Sequence, residues 1–130
     1  MVSFLIIEDD RILRNLYEMM LTLNGYKICL STDDGEAALE LYKSGRNRPD
    51  IILLDHRMPI KTGLDIAQEI FEFDMTSKII FLSADANVRD KALSIGVKAF
   101  LQKPFRYEEL LQEIEKIIIK QDSITDISHY

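Results

Sequence analysis

Short apolar runs alternate along the chain with longer segments in which apolar residues recur at helical spacing. The runs lie at Val2–Ile7, Lys27–Ser31, Ile51–Leu54, Lys78–Leu82 and Lys98–Leu101. Continuous apolar runs of this length are typical of parallel strands that are covered on both faces. Because the strands alternate with helices, we predict one α/β domain, a three-layer sandwich with five helices on the two faces of a five-stranded parallel sheet.

Five helices are predicted from the segments between and after these runs. The first follows Asp9 and Asp10 and stops at Asn24-Gly25, and the second opens near Asp33 or Asp34 and closes at Gly45. Two more are predicted at Gly63–Phe73 and Asn87–Ile95. The last is amphipathic, with an apolar face made of Tyr107, Leu110, Leu111, Ile114, Ile117 and Ile118. Residues 1–121 therefore form the domain, and residues 122–130 are predicted to be a short frayed tail without an effector domain.

Composition narrows the range of partners. The chain has 22 acidic and 16 basic residues and a formal charge of −6, which argues against direct binding to nucleic acid or to anionic membranes. The apolar run at Val2–Ile7 is too short for a signal peptide or a membrane span, so a cytoplasmic location is expected. The single cysteine, Cys29, is expected to be a buried core thiol without a redox role.

Polar residues follow the predicted strands where each one ends, and ligands bind at this edge of a parallel sheet. They are Glu8, Asp9 and Asp10 after the first strand, Asp55 after the third, Ser83 after the fourth and Lys103 after the fifth. Carboxylates gathered from separate segments repel one another unless a cation intervenes. We therefore predict a Mg²⁺ site, with Mn²⁺ as the alternative ion, formed by Glu8, Asp9 and Asp55. Asp10 is assigned to capping the first helix.

Ser83 and Lys103 add a hydroxyl and an ammonium group to the same edge. These groups suit the oxygens of a phosphoryl group in transfer, and the carboxylate of Asp55 is the expected nucleophile, forming an acyl phosphate.

Four segments of the chain carry a family resemblance. They are Phe4-Leu5-Ile6-Ile7-Glu8-Asp9-Asp10, Leu53-Leu54-Asp55-His56-Arg57-Met58-Pro59 with Gly63, Phe81-Leu82-Ser83-Ala84, and Phe100-Leu101-Gln102-Lys103-Pro104-Phe105. In order and spacing, the chain resembles the receiver domain of two-component response regulators from residue 2 to about 121. The resemblance implies a flavodoxin-like fold with strand order 2-1-3-4-5.

The resemblance also implies a role for each matching residue. Asp55 would accept a phosphoryl group from a sensor histidine kinase or a phosphotransfer protein. Asp9 would bind Mg²⁺ directly, Glu8 mainly through water, and Arg57 through its backbone carbonyl. Lys103 would pair with the phosphate, and its peptide bond to the following proline would be cis.

Signal output would follow from movement of Ser83 towards the phosphate and of the aromatic residue Phe100 into the space that Ser83 leaves. This movement alters the face formed by the fourth helix, the fifth strand and the fifth helix, which would bind a downstream protein. Such a domain is a monomer or a phosphorylation-dependent homodimer. It assists its own phosphorylation and dephosphorylation but is not a conventional turnover enzyme.

Two oppositely charged side chains and two histidines could also bear on the chemistry. Arg57 and Asp85 carry opposite charges, and we hypothesise that they approach each other across the mouth of the site and slow hydrolysis of the acyl phosphate. His56 should point away from Asp55 and is not expected to be catalytic. His129 lies in the predicted tail, so the phosphodonor must be another molecule.

Three other functions are alternatives to that of a receiver. A haloacid-dehalogenase-like phosphatase needs a second acid two residues after its nucleophile, where this chain has Arg57. A nucleotide- or flavin-binding module needs a glycine-rich turn after the first strand, where this chain has acids. A scaffold or dimerisation domain of the same fold would not need the acid, hydroxyl and lysine set.

Overall fold

The computed structural model describes residues 1–46 and 48–127, without the side chains of residues 121–127. Strands and α-helices alternate throughout this part of the chain. The strands are β1 Ser3–Ile7, β2 Lys27–Thr32, β3 Ile51–Asp55, β4 Ile79–Ser83 and β5 Ala99–Gln102. The helices are α1 Arg11–Leu23, α2 Gly35–Ser44, α3 Gly63–Phe73, α4 Arg89–Ile95 and α5 Tyr107–Ile127, and a short 3-10 turn at Ala86–Val88 precedes α4.

All five strands are parallel and lie in the order β2-β1-β3-β4-β5. The fold class and the strand order are therefore confirmed. The register pairs Ile7 with Leu54 and Asp55 with Leu82, so β1, β3 and β4 end at nearly the same height. The residues that follow these strands are brought to a single rim.

The sheet is covered on both faces, which explains the unbroken apolar runs in the strands. Alternate strand residues such as Leu5, Leu54 and Phe81 pack with α2, α3 and α4 on one face. The residues between them, such as Phe4 and Leu53, pack with α1 and α5 on the other. Because successive side chains of a strand point to opposite faces, a strand buried on both sides needs apolar residues at every position.

Side-chain caps fix the points at which the helices begin. The Asp10 carboxylate accepts hydrogen bonds from the amides of Ile12 (2.9 Å) and Leu13 (3.2 Å), as the sequence predicted for this residue. Asp34 caps α2 in the same way, and Thr62 begins α3 with a capping box. The chain therefore enters α1 directly from the rim.

Several predicted boundaries differ from the structure. The predicted helix at Asn87–Ile95 is divided, because Asp85 caps a 3-10 turn and α4 begins at Arg89. The last helix continues to Ile127, although the tail is predicted to begin at residue 122, and residues 128–130 with His129 lie outside the described residues.

The cysteine also differs from its prediction. Cys29 is only partly buried because β2 is an edge strand of the sheet. Within the described ranges, no helix is both long and apolar enough to cross a bilayer.

Candidate functional site

The rim at the carboxyl ends of the strands gathers the polar residues that the sequence singled out. Glu8 directly follows β1, Asp55 ends β3 and Ser83 ends β4. All three are buried, with 1%, 5% and 1% of their surface exposed, whereas Asp9 is exposed. Charged and hydroxyl groups this deeply buried need partners, and they find them at the rim.

Lys103 joins the two buried carboxylates. Its Nζ lies 2.7 Å from Glu8 Oε1 and 3.1 Å from Asp55 Oδ1. Its backbone amide donates to the carbonyl of Ser83 at 2.8 Å, which extends the pairing of β4 with β5 by one residue. The peptide bond between Lys103 and Pro104 is cis, as the family resemblance implied. One ammonium group is therefore shared by two carboxylates.

This sharing leaves an excess of negative charge in the pocket. The pKa of Glu8 rises from 4.5 to about 7, first because the group is buried and then because of its hydrogen bond with Asp55, while Lys103 acts in the opposite direction. The pKa of Tyr17 is also raised, by burial and then by the charges of Glu8 and Asp55. The site is thus suited to an additional cation.

The loop between β1 and α1 is held by two further hydrogen bonds. The amide of Asp10 donates to Glu8 Oε2 at 3.2 Å, and the guanidinium of Arg14 donates to the Glu8 carbonyl at 2.9 Å. Sequence reasoning did not identify Arg14. Nothing in its sequence position signalled the role, because a half-buried arginine on an amphipathic helix is ordinary.

Gly63 fixes the backbone of the phosphoacceptor candidate. Its amide donates to the His56 carbonyl at 2.8 Å. A Cβ atom at this position would lie 2.5 Å from the Asp55 carbonyl oxygen and 2.7 Å from the His56 Cα, which leaves no room for any side chain. Glycine is therefore required for α3 to begin this close to β3.

His56 directs its ring away from the rim. The ring packs against Phe81, with 5.7 Å between the ring centroids, and Phe81 belongs to the core on the α3 side of the sheet. This position agrees with the expectation that His56 points away from Asp55.

The donor set fits a hard divalent cation. A cavity of about 270 Å³ is lined by Glu8, Asp9, Asp10, Leu13, Asp55, Arg57, Ala84 and Lys103. In the described part of the chain, no three acidic, histidine or cysteine side chains form a complete ligand cluster by themselves. Mg²⁺ commonly uses one or two carboxylates and keeps several waters, so oxygen donors on an open cavity suit it.

Ser83 and Asp85 accept hydrogen bonds from the backbone of the segment that follows β4. The Ser83 hydroxyl accepts a hydrogen bond from the amide of Asp85 at 3.0 Å, and the Asp85 carboxylate accepts one from the amide of Asn87 at 2.9 Å. Arg57 forms no ion pair with Asp85 within residues 1–46 and 48–127. The two side chains are therefore not joined by an ion pair, and Asp85 instead caps its own turn; that they slow hydrolysis stays a prediction.

Phe100 lies on β5, beside the site. It is half-buried and stacks on Phe81, with 6.1 Å between the ring centroids and an angle of 18° between the rings. The ring packs against the core on the side of the sheet that α2, α3 and α4 cover, and its role as a switch stays a prediction.

Comparison with known proteins gives the family. A family model described as the response regulator receiver domain matches residues 4–115. The chain belongs to this family. The receiver is 31% identical over 115 residues to the chemotaxis protein CheY of Thermotoga maritima. The aligned region covers 87% of this chain and 94% of that protein.

Two other relatives extend the comparison. The receiver is 34% identical over 119 residues to the response regulator MprA of Mycobacterium sp. (strain KMS), covering 90% of this chain but only 50% of MprA. The chain thus spans about half the length of that relative. Its structure resembles CheY in the CheX–CheY–BeF3–Mg complex from Borrelia burgdorferi, with a TM-score of 0.83, 28% identity, and 90% and 89% of the two chains covered.

Membership of this family sets aside two of the alternative functions. Receivers of response regulators are signalling domains rather than conventional enzymes, so the phosphatase and the nucleotide-binding module are set aside. The similar structure from Borrelia burgdorferi is a complex of CheX, CheY, BeF3 and Mg. This is consistent with the use of Mg²⁺ in the family.

Proposed function

We propose that this receiver accepts a phosphoryl group on Asp55 from a phosphohistidine of a sensor histidine kinase or a phosphotransfer protein, and that phosphorylation changes a protein-binding face. The observation that carries the proposal is the sharing of the Lys103 ammonium by the buried carboxylates of Glu8 and Asp55. When a cation enters the cavity, Glu8 can keep the ammonium while the Asp55 carboxylate becomes available for reaction.

The residues proposed to hold Mg²⁺ are Asp9 and Asp55 directly, Glu8 mainly through water, and Arg57 through its backbone carbonyl. When bound, the ion neutralises charge on the phosphoryl oxygens and on the acids around them. This electrostatic help is most of what phosphoryl transfer requires from a protein.

In the transfer itself, a carboxylate oxygen of Asp55 attacks the phosphorus atom. The new O–P bond forms as the P–N bond to the donor imidazole breaks, and that nitrogen keeps the electron pair. Lys103 lies close enough to exchange its contact with Asp55 for one with the phosphoryl group, while Glu8 keeps the ammonium in place.

Ser83 supplies a hydrogen-bond donor to the product. Its oxygen accepts from the Asp85 amide, so the hydroxyl proton remains free to be donated to a phosphoryl oxygen. As Ser83 turns towards the phosphate, Phe100 moves inwards, which alters the surface of α4, β5 and α5. A downstream protein that binds this surface receives the signal.

The test uses the purified chain, Mg²⁺ and a small phosphodonor, with intact mass as the measurement. We expect one added phosphoryl group that is stable in acid and lost in alkali, and no addition with chelator or in Asp55→Asn. A chain that gains no phosphoryl group under these conditions is the unphosphorylated scaffold instead.

A further inference from the structure

A large cavity lies between α1 and α5, on the face of the sheet that these two helices cover. It has a volume of about 630 Å³ and extends along α1 from Leu13, next to the rim, to Asn24 at the end of the helix. At 1.5 Å per residue, this is a length of roughly 16 Å. Small-molecule sites usually have volumes of about 300–1,000 Å³, so this cavity is large enough for an elongated ligand.

The walls of this cavity are almost entirely apolar. Its floor is formed by the buried side chains of Tyr17, Met20 and Leu110, which belong to the core. Leu16 and Met19 form part of its mouth and are exposed. A ligand that fills the cavity therefore removes apolar surface of both the protein and itself from water, which favours an apolar or aromatic body.

The apolar cavity adjoins the acidic cavity of the rim. Leu13, Ala84 and Lys103 line both of them. Among the described residues, the acidic cavity is lined by four carboxylates and two cationic side chains. One of these cations, the Lys103 ammonium, is already shared by Glu8 and Asp55. An apolar compartment thus lies beside one with an excess of negative charge.

We propose that the two cavities together bind an elongated amphipathic amine, with its apolar body between α1 and α5 and its ammonium group among the carboxylates of the rim. The acids repel an anionic head group, and a neutral head group leaves their charge uncompensated. An ammonium group carries three donors for carboxylate oxygens and compensates that charge. The bound amine occupies the place proposed for Mg²⁺ and so holds the receiver unphosphorylated. This last consequence, unlike the binding, rests on the proposed function.

Three probes with the same body and different head groups test the proposal: 4-phenylbutylamine, 4-phenylbutan-1-ol and 4-phenylbutyrate. NMR titration of the ¹⁵N-labelled chain in chelator gives the Kd of each probe and the amides that it affects. For the amine we expect a Kd on the order of 0.5 mM, with shifts in α1 and in the first turns of α5. The alcohol should bind about tenfold more weakly because it forms no ion pair, and the carboxylate more weakly still.

Two substitutions of exposed residues separate the body of the ligand from its head group. Leu16→Gln should weaken the amine and the alcohol alike by about fivefold, because Leu16 lines the apolar cavity. Asp9→Asn should weaken the amine by about fivefold and leave the alcohol unchanged, because Asp9 lines the acidic cavity. The matched control is Ile12→Gln, since Ile12 also lies on α1, is 73% exposed and stands outside both linings. It should bind the amine to within about twofold of the original chain.

Competition with Mg²⁺ provides a second readout. Added Mg²⁺ should weaken binding of the amine by about fivefold, and the amine should weaken binding of Mg²⁺ by the same factor, because the coupling between two ligands is reciprocal. At limiting Mg²⁺, phosphorylation by a small donor should slow in the presence of the amine and stay unchanged in the presence of the alcohol.

Three results would overturn the proposal. In the first, the alcohol binds as tightly as the amine. In the second, Leu16→Gln binds the amine as tightly as the original chain does. In the third, the free chain sediments as a dimer that Leu16→Gln dissociates, which would make the cavity a contact between copies of the chain. A chain that binds the amine as expected but gains no phosphoryl group in its absence would instead refute the proposed function.

Discussion

Replacing Asp55 with asparagine is expected to stabilise the metal-free protein at pH 8. In the folded chain, Glu8 and Asp55 are 1% and 5% exposed and share the single ammonium of Lys103. Asparagine has the same shape as aspartate but no charge, so the substitution leaves a one-to-one pair of Glu8 and Lys103. The repulsion between the two buried carboxylates is then absent.

The size of the effect follows from the pKa of Glu8. Its rise from 4.5 to about 7 corresponds to roughly 3 kcal/mol of unfavourable free energy for the ionised folded protein. Burial is the largest cause and remains in the variant, whereas the contribution of Asp55 is removed. We therefore expect a gain of about 1 kcal/mol, or a rise in melting temperature of about 3 °C.

The stability gained by Asp55→Asn should depend on pH. Because the folded pKa of Glu8 is raised, its contribution favours folding below pH 4.5 and is lost as pH rises through about 7. The advantage of Asp55→Asn should thus be close to zero at pH 5 and reach its full size at pH 8. Added Mg²⁺ should stabilise the original chain more than the variant and reduce the difference.

Thermal and urea unfolding in chelator at pH 5 and pH 8, each repeated with Mg²⁺, measure these differences. Glu72→Gln is the control for the loss of one carboxylate, because Glu72 is exposed in the last turn of α3, away from the rim, and it should change stability little at either pH. The reasoning is refuted if Asp55→Asn is less stable than the original chain in chelator at pH 8, or if its advantage is the same at both values of pH.

Three further predictions concern the same rim. Lys103→Met should destabilise the metal-free protein by about 3 kcal/mol at pH 8, with partial recovery in Mg²⁺, because two buried carboxylates lose their partner; urea unfolding that shows no loss would contradict this. Gly63→Ala should reduce stability by roughly 2–3 kcal/mol and slow phosphorylation by the small donor, since its Cβ would lie 2.5 Å from the Asp55 carbonyl oxygen; an unchanged melting temperature would show that the loop adapts. Arg57→Ala combined with Asp85→Ala should shorten the lifetime of the phosphorylated protein in a dephosphorylation time course, because Arg57 lines the cavity and both side chains would impede the attacking water even without an ion pair; an unchanged lifetime would remove both residues from control of hydrolysis.

Much of the fold could be predicted because strand burial leaves a direct mark on the sequence. A strand covered on both faces must be apolar at every position, so β1, β3 and β4 were found to within one residue at each end. The helix starts were equally visible where an aspartate caps them, as at Asp10 and Asp34. The strand order came from the family resemblance, because burial alone does not determine which strands are neighbours.

The rim residues were predicted because parallel strands end together. Glu8 and Lys103 are 95 residues apart in the chain, yet their side chains meet at 2.7 Å, since each directly follows a strand. How the Lys103 ammonium is shared between the carboxylates was not predictable from sequence. That Lys103 would already bridge both carboxylates, and that Asp85 would cap a turn rather than pair with Arg57, depends on side-chain geometry.

Other features left no sequence signal. The continuation of α5 to Ile127 runs through residues 121–127, where aspartate, serine and threonine have low helix propensity and the apolar periodicity is weak. Ile60 is the clearest case, because a β-branched residue predicts an extended backbone and the structure gives it a positive φ. Local preference is overridden there by the ion pairs of Lys61 and the close packing of Gly63.

The central claim is that Asp55 is the residue that carries the phosphoryl group. Sodium borohydride reduces an acyl phosphate to the corresponding alcohol, so it converts a phosphorylated aspartate to homoserine, which tandem mass spectrometry locates in a peptide. After treatment with Mg²⁺ and a small phosphodonor, we predict homoserine at position 55 and unmodified residues elsewhere, with none formed in chelator. Modification at His56 or Ser83, or an unmodified Asp55 in Mg²⁺, would contradict the account.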